Sequence, residues 1–239
     1  AERVPAAGPV VVQLPAVLLM ADFSAFGKIP ALGDFLRLGA RPDFVAAWDS
    51  WLQATLVHAE AEIGPDFVSC YMAAPVWRFA LPPGLAGPEG VVGVLMPSVD
   101  RVGRRFPLTL MAHTGSGEQA PLRALVWQTP VLEAAEALSL DALEDGMTRD
   151  VLSERLAGLA LRPWVQQSRI ETSGTSLVLS GDRPDLLCAD LALDLAGGQL
   201  QRSSAWTAVI DGAARLVLTP GLPEGRIATS LFDIGGQRG

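Results

Sequence analysis

The chain has 239 residues, of which 49% are apolar, and a formal net charge of −8. This length and composition predict a folded protein with a full hydrophobic core. The negative charge argues against nucleic-acid binding, which needs clustered lysine and arginine side chains to neutralise phosphates. No stretch reaches the roughly 18 to 20 apolar residues that a membrane span requires, so membrane insertion is not expected.

The first predicted elements are a short strand and a long helix. Residues 23–30 (FSAFGKIP) predict a strand followed by a loop, and residues 31–39 (ALGDFLRLG) predict a helical turn. Residues 42–63 predict an amphipathic helix, because Pro42 suits a first helical position and apolar side chains recur on one face.

Apolar runs dominate the middle of the chain. Residues 67–81 predict a strand pair, or one long strand bent at Pro75. Residues 91–99 and 106–114 predict two further strands. The polar residues between these two strands form the most unusual segment of the sequence.

The pattern after residue 120 is helical at first. Residues 120–165 predict helices, one of them capped by Thr148 and ended by Pro163. Residues 176–180 predict a strand, and residues 184–195 predict an amphipathic helix.

The clearest hairpin signal lies near the C-terminus. Two apolar runs flank Asp211 and Gly212, a pair that suits the positive backbone angles of a type I′ turn. Strands and helices therefore alternate in clumps rather than in a regular βαβ rhythm. This order predicts an α/β fold of the α+β type, with a mixed, mainly antiparallel sheet and helices packed on it.

Metal and cofactor sites are not expected. Cys70 and Cys188 lie far apart and lack metal-ligand spacing, so they are interpreted as buried free thiols. The only histidines are His58 and His113, and the glycine-rich stretches lack the spacing of phosphate-binding loops.

The polar insert carries the residue types of a serine hydrolase. Ser98, Asp100 and His113 are present, and such a triad needs a serine beside a base that a carboxylate orients. However, the Gly-x-Ser-x-Gly turn of many hydrolases is missing around Ser98. The sequence therefore disfavours catalysis and predicts no catalytic residue.

The same insert carries three arginines. Arg101, Arg104 and Arg105 could grip a phosphate or a carboxylate, and Gly103 would allow close backbone approach. A single acid among several arginines more often pairs with them, so the favoured interpretation is that Asp100 braces the loop. Anion or phosphopeptide binding by these arginines remains the alternative.

Two charged residues near the N-terminal strand are further candidates. Lys28 is the only lysine of the chain, and it is interpreted as a solvated loop charge. Asp34 offers a carboxylate for acid–base chemistry, but the sequence shows no partner group for it.

Four blocks resemble the signature segments of the TagF family, which is associated with type VI secretion in Gram-negative bacteria. They are FGKIPALGDFLRLG, DFVAAWDSWLQ, APVWRFALPPG and GVLMPSVDRVGRRFPLT, in this order. A weaker similarity follows at Ser204-Ala205-Trp206, where Thr207 replaces a second tryptophan common in the family.

The resemblance implies regulation rather than catalysis. TagF proteins are cytoplasmic negative regulators that act after translation, and they are linked to the forkhead-associated scaffold protein of the apparatus and often to its kinase–phosphatase pathway. The expected mechanism is stoichiometric binding to such a component, without a cofactor or metal. The oligomeric state stays open. Candidate binding residues are Lys28, Asp34, Ser98, Asp100, Arg101, Arg104, Arg105, Phe106, Ser204 and Trp206.

The resemblance also suggests how the chain is organised. Family members begin shortly before the block that contains Phe26-Gly27-Lys28, so Met20 is expected to be the initiator and residues 1–19 to be upstream or vector-derived sequence. Residues 20–239 are expected to form one TagF-like domain, with an N-terminal lobe to residue 145 and a C-terminal lobe from residue 146.

Overall fold

The structure is a computed structural model that describes residues 23–115, 120–163, 169–173, 176–181, 183–196 and 202–233. Its strands are β1 (Ser24–Gly27), β2 (Leu36–Leu38), β3 (Trp77–Leu81), β4 (Gly90–Met96), β5 (Leu108–Gly115), β6 (Arg169–Ser173), β7 (Ser176–Ser180), β8 (Ser203–Ile210) and β9 (Ala213–Pro220). Its α-helices are α1 (Pro42–Ile63), α2 (Phe67–Ala73), α3 (Pro121–Trp127), α4 (Thr129–Asp141), α5 (Arg149–Ala157), α6 (Pro184–Ala196) and α7 (Gly225–Thr229). The leader and Met20 lie outside the described residues.

One large sheet organises the fold. Seven strands are hydrogen-bonded in the order β2-β1-β5-β4-β3-β8-β9, and β6 pairs with β7 in a separate hairpin. All of these strand pairings are antiparallel. The predicted fold class, a mainly antiparallel sheet with packed helices, is confirmed. Because β8 pairs with β3, strands from both ends of the chain share this sheet.

Helices cover both faces of the large sheet. One face, which we call the aliphatic face, packs against α3, α4 and α5. The other, the aromatic face, packs against α1 and α2, and α7 packs on α1. Along β4, Val92 and Val94 point to the aliphatic face while Val91 and Leu95 point to the aromatic face. Burial on both sides explains why β4 reads as an uninterrupted apolar run.

The central strands approach each other closely. A Cβ atom added to Gly93 on β4 would lie 2.3 Å from the carbonyl oxygen of Leu110 on β5. Only glycine therefore fits this position without displacing the neighbouring backbone.

Two local predictions are wrong. Residues 67–73 form helix α2 instead of a strand, because Phe67 and Tyr71 lie four residues apart and both bury their rings on the aromatic face. Residues 36–38 form strand β2 instead of a helical turn, because Leu36 and Arg37 pair with β1. In both cases tertiary packing overrides the local pattern.

Other local predictions are confirmed. Helix α1 begins at Pro42, and Thr148 caps α5 by accepting a hydrogen bond from the Val151 amide at 3.3 Å, although α5 ends at Ala157 and not at Pro163. Asp211 and Gly212 have φ values of 51° and 78° and join β8 to β9, as a type I′ turn requires.

Both cysteines are free. Cys70 is half-buried, whereas Cys188 is exposed. The expectation of free thiols is confirmed, but the expected burial is wrong for Cys188.

Candidate functional site

The polar insert between β4 and β5, residues 97–107, is a small hairpin that we call the 97–107 loop. Val99 and Arg105 face each other in an antiparallel bridge. The Gly103 amide donates to the Asp100 carbonyl at 2.8 Å, and the Asp100 amide donates to the Arg104 carbonyl at 3.1 Å. Gly103 has a φ of +84°, which favours glycine at this turn. The loop is therefore a tight continuation of two core strands.

A buried carboxylate organises this loop. Oδ2 of Asp100 lies 3.0 Å from Nζ of Lys28 and 2.6 Å from Nε of Arg104. Oδ1 accepts hydrogen bonds from the backbone amides of Val102 and Arg104 at 3.1 and 2.9 Å. We call Asp100, Lys28, Arg104 and these two amides the Asp100 cluster. The prediction that Asp100 pairs with an arginine and braces the loop is confirmed.

The electrostatics of the Asp100 cluster favour a permanent anion. Burial by itself raises the pKa of Asp100, but hydrogen bonds from the Arg104 amide, Lys28, the Arg104 side chain and the Val102 amide outweigh that effect. The pKa of Asp100 therefore lies well below its usual range. Because this carboxylate stays ionised and already accepts hydrogen bonds from four donors, it stabilises the loop and is poorly suited to proton transfer at neutral pH.

The Asp100 cluster also joins two separate segments of the chain. The Arg101 amide donates to the Leu32 carbonyl at 2.9 Å, and Nη2 of Arg104 donates to the Gly33 carbonyl at 2.7 Å. Together with Lys28, these contacts fasten the 97–107 loop to the segment between β1 and β2. Two of the sequence blocks that carry the family resemblance thus meet in one structural unit.

Two candidate residues are less accessible than their sequence context suggests. Lys28 is only 5% exposed, so its interpretation as a solvated loop charge is wrong; its partner Asp100 lies on another strand connection. Phe106 is 4% exposed and packs edge-on against Phe26 and Phe35. It therefore stabilises the loop and is not an exposed anchor for a partner.

Ser98 links the 97–107 loop to helix α2 through its backbone. The Tyr71 hydroxyl donates to the Ser98 carbonyl at 2.8 Å and accepts from the Ser98 amide at 3.0 Å. Burial raises the pKa of Tyr71, which keeps this hydroxyl protonated. Ser98 is fully buried, and its Oγ has no hydrogen-bond partner among the described residues.

His113 lies in a different environment. Its ring packs edge-on against Phe44, its Nδ1 lies 4.0 Å from Glu89, and burial lowers the pKa of the imidazole. Within the described part of the chain, neither ring nitrogen forms a hydrogen bond. The serine–histidine contact that the hydrolase alternative requires is therefore not formed.

The three arginines of the loop have different surroundings. Arg104 faces Asp100, although 60% of its side chain is exposed. Arg105 lies over the Phe67 ring, 5.7 Å from its centroid, with Nη2 at 3.6 Å from Glu60. Arg101 is exposed. The guanidinium groups therefore have different partners: Asp100 for Arg104, and Phe67 with Glu60 for Arg105.

A hollow opens beside Arg105. Its volume is about 410 Å³, and we call it the Arg105 hollow. It is lined by Leu56, Glu60, Phe67, Gly103, Arg104 and Arg105. It therefore combines an apolar floor from α1 and α2 with the outward side of the 97–107 loop.

The remaining candidates have structural surroundings. Trp206 Nε1 donates to Ser204 Oγ at 3.0 Å, and Ser204 Oγ donates to the Gly221 carbonyl at 2.6 Å. Both residues are fully buried, and Trp206 stacks on Trp48 with ring centroids 6.0 Å apart. Asp34 is exposed and accepts a hydrogen bond from the adjacent Phe35 amide.

Across the described ranges, no cluster of three or more histidine, cysteine, aspartate or glutamate side chains is arranged to hold a metal ion. None of the described helices is both long and apolar enough to cross a membrane.

Sequence and structure comparisons identify the family. The family model described as "TagF N-terminal domain, Type VI secretion system-associated" matches residues 24–159, which is more than half of the chain. A solved structure, PA0076 from Pseudomonas aeruginosa PAO1, is similar at 31% identity and a TM-score of 0.69; the match covers 88% of this chain and 94% of that one. A comparison with curated proteins finds no match. The resemblance inferred from the four sequence blocks is confirmed, and the chain belongs to the TagF family of type VI secretion-associated proteins.

Proposed function

We propose that this protein is a cytoplasmic negative regulator of type VI secretion that acts by binding a component of the apparatus, with the forkhead-associated scaffold protein as its partner. The family match supports the association with type VI secretion. The mode of action is non-enzymatic: the protein binds a component that the apparatus needs and thereby keeps that component from functioning.

The observation that carries this proposal is the construction of the 97–107 loop. Its most reactive side chains are withdrawn from solvent, because Ser98 is fully buried and Asp100 is buried and held by hydrogen bonds. The groups that it presents outward are arginine side chains on a rigid frame. Arginine is enriched among the residues that dominate protein–protein binding energies, so a braced, arginine-bearing loop favours recognition over catalysis.

Deletion and complementation in the native bacterium test the regulatory role. Deleting the gene should raise the amount of type VI substrates in the culture supernatant, measured by quantitative mass spectrometry, and overexpression should lower it below the wild-type amount. Unchanged secretion in both strains would contradict negative regulation.

Purified proteins test the partner and the stoichiometric mechanism. We expect the chain to bind the scaffold protein with a fixed molar ratio in isothermal titration calorimetry, and secretion to fall in proportion to the ratio of regulator to scaffold in the cell. Complete repression by a small fraction of one regulator per scaffold would instead indicate catalytic action.

A further inference from the structure

We propose that the Arg105 hollow is the docking site for an acidic linear segment with one large apolar anchor side chain. The identity of the protein that carries this segment, a type VI secretion component, rests on the proposed function. The acidic and apolar character of the segment is inferred from the residues that line the hollow.

The shape of the hollow suits a single anchor. A volume of about 410 Å³ falls within the range of small-ligand pockets. Leu56 and Phe67 supply an apolar floor, and Gly103 leaves the rim open because nothing lies within 4 Å of the position a Cβ would take.

The charge of the hollow selects an acidic occupant. The whole chain is acidic, with 26 aspartate and glutamate residues against 18 lysine and arginine residues, yet Arg104 and Arg105 line the hollow against the single acid Glu60. The 97–107 loop as a whole carries three arginines against one acid, Asp100, which is buried behind Arg104, so its outward side is positive. Charge complementarity therefore favours a segment with several carboxylates and opposes a basic one.

The arginines are held in place before any partner binds. Nε and Nη2 of Arg104 are fixed by Asp100 and the Gly33 carbonyl. Arg105 lies over Phe67, and its 3.6 Å contact with Glu60 is too long for a hydrogen bond. Its donors therefore remain available for a carboxylate, and little conformational entropy is lost when the segment binds.

Glu60 gives the proposal its sharpest test. It attracts Arg105 and repels an acidic ligand, so replacing it should help an acidic segment to bind. Replacing Arg105 should have the opposite effect. If the Arg105–Glu60 pair only stabilised the fold, both substitutions would act in the same direction.

The probes are synthetic 15-residue peptides that tile every type VI secretion protein encoded with this chain. Binding to the purified full chain is measured by fluorescence anisotropy for the wild type, Arg105→Glu, Glu60→Ala and the charge-matched control Arg226→Glu. Arg226 lies on α7 and its side chain is 95% exposed. Thermal unfolding of each variant confirms that it is folded.

We expect peptides with two or more acids flanking a leucine, phenylalanine or tryptophan to bind the wild type. Arg105→Glu should weaken this binding by at least about tenfold, Glu60→Ala should strengthen it by about threefold, and Arg226→Glu should leave it within about twofold. Absence of any peptide binding to the wild type would overturn the proposal. So would affinities that Arg105→Glu leaves unchanged, or that Glu60→Ala and Arg105→Glu weaken alike.

The same data separate this proposal from the proposed function. Acidic peptides that come from a component other than the forkhead-associated scaffold would support the docking site and contradict the partner. Binding of the full-length scaffold that Arg105→Glu does not affect, together with a negative peptide panel, would support the partner and contradict the docking site.

Discussion

The Asp100 cluster and the aromatic face, which both carry family motifs, are stabilised by different interactions. The Asp100 cluster is stabilised by electrostatic interactions: one buried carboxylate forms ion pairs with Lys28 and Arg104 and accepts hydrogen bonds from two amides. The aromatic face is stabilised by buried ring surface: Trp206 stacks on Trp48 and packs at a tilt against Phe79. Both regions are structural, and in the Asp100 cluster one member, Arg104, also exposes 60% of its side chain to solvent. The 97–107 loop can therefore both stabilise the fold, through the Asp100 cluster, and contact a partner, through its solvent-facing arginines.

The largest expected effect comes from removing aromatic area. Trp206→Ala should lower the free energy of unfolding by about 4 kcal/mol, because it leaves a large cavity on the aromatic face. For a chain of this size, that loss corresponds to a fall in Tm of roughly 10–15 °C. Urea unfolding followed by circular dichroism measures it, and Trp206→Phe serves as the milder control. A loss below about 1 kcal/mol would contradict the assignment of Trp206 to the core.

A smaller loss is expected in the Asp100 cluster. Asp100→Asn keeps the shape but removes the counter-charge of the buried Lys28 and of the largely exposed Arg104, so Tm should fall by roughly 5–10 °C. Adding Lys28→Met should recover part of this loss, because it removes one uncompensated charge. Thermal unfolding of the single and double variants measures this coupling. Strictly additive effects would show that the two side chains do not interact.

Tyr71 connects the two regions. Its ring stacks on Phe232 within the aromatic face, and its hydroxyl bridges the Ser98 backbone of the 97–107 loop. Tyr71→Phe retains the ring and leaves the buried Ser98 amide without its partner, whereas the Ser98 carbonyl still accepts from the Phe106 amide at 3.0 Å. The substitution should therefore cost about 1.5 kcal/mol. Hydrogen exchange should accelerate at Ser98 and not on β8. Equal acceleration on β8 would indicate that the hydroxyl serves the whole face.

The smallest expected effect is a pH dependence that only the charged region shows. Because the folded state lowers the pKa of Asp100, the carboxylate stabilises the protein above its ordinary pKa of about 3.9, and this contribution is lost as the pH falls further. The stability gap between wild type and Asp100→Asn should therefore be constant near neutrality and narrow below about pH 4. The gap between wild type and Trp206→Phe should stay constant over the same range.

The same contrast explains what the sequence could and could not predict. Helix α1 and the β8–β9 hairpin follow from local signals, namely Pro42, a helical apolar period, and the Asp211-Gly212 turn. The brace at Asp100 was also predictable, because its arginine partner lies four residues away.

Long-range burial was not predictable from local patterns. Lys28 can be buried because it forms an ion pair with Asp100, which lies on a loop far away in the sequence. The residues next to Lys28 in the sequence do not indicate this contact. Helix α2 was predicted as a strand because its apolar run is too short for periodicity to separate the two structures. The Arg105 hollow joins α1, α2 and the 97–107 loop, so only the folded chain reveals it.

The most direct test of the central claim is type VI secretion in bacteria whose chromosomal copy carries Arg105→Glu, compared with Arg226→Glu at equal protein levels. The account predicts that Arg105→Glu releases secretion to the level of the deletion strain while Arg226→Glu represses like the wild type. Full repression by a folded Arg105→Glu protein would contradict the claim that the outward side of the 97–107 loop carries the regulatory contact.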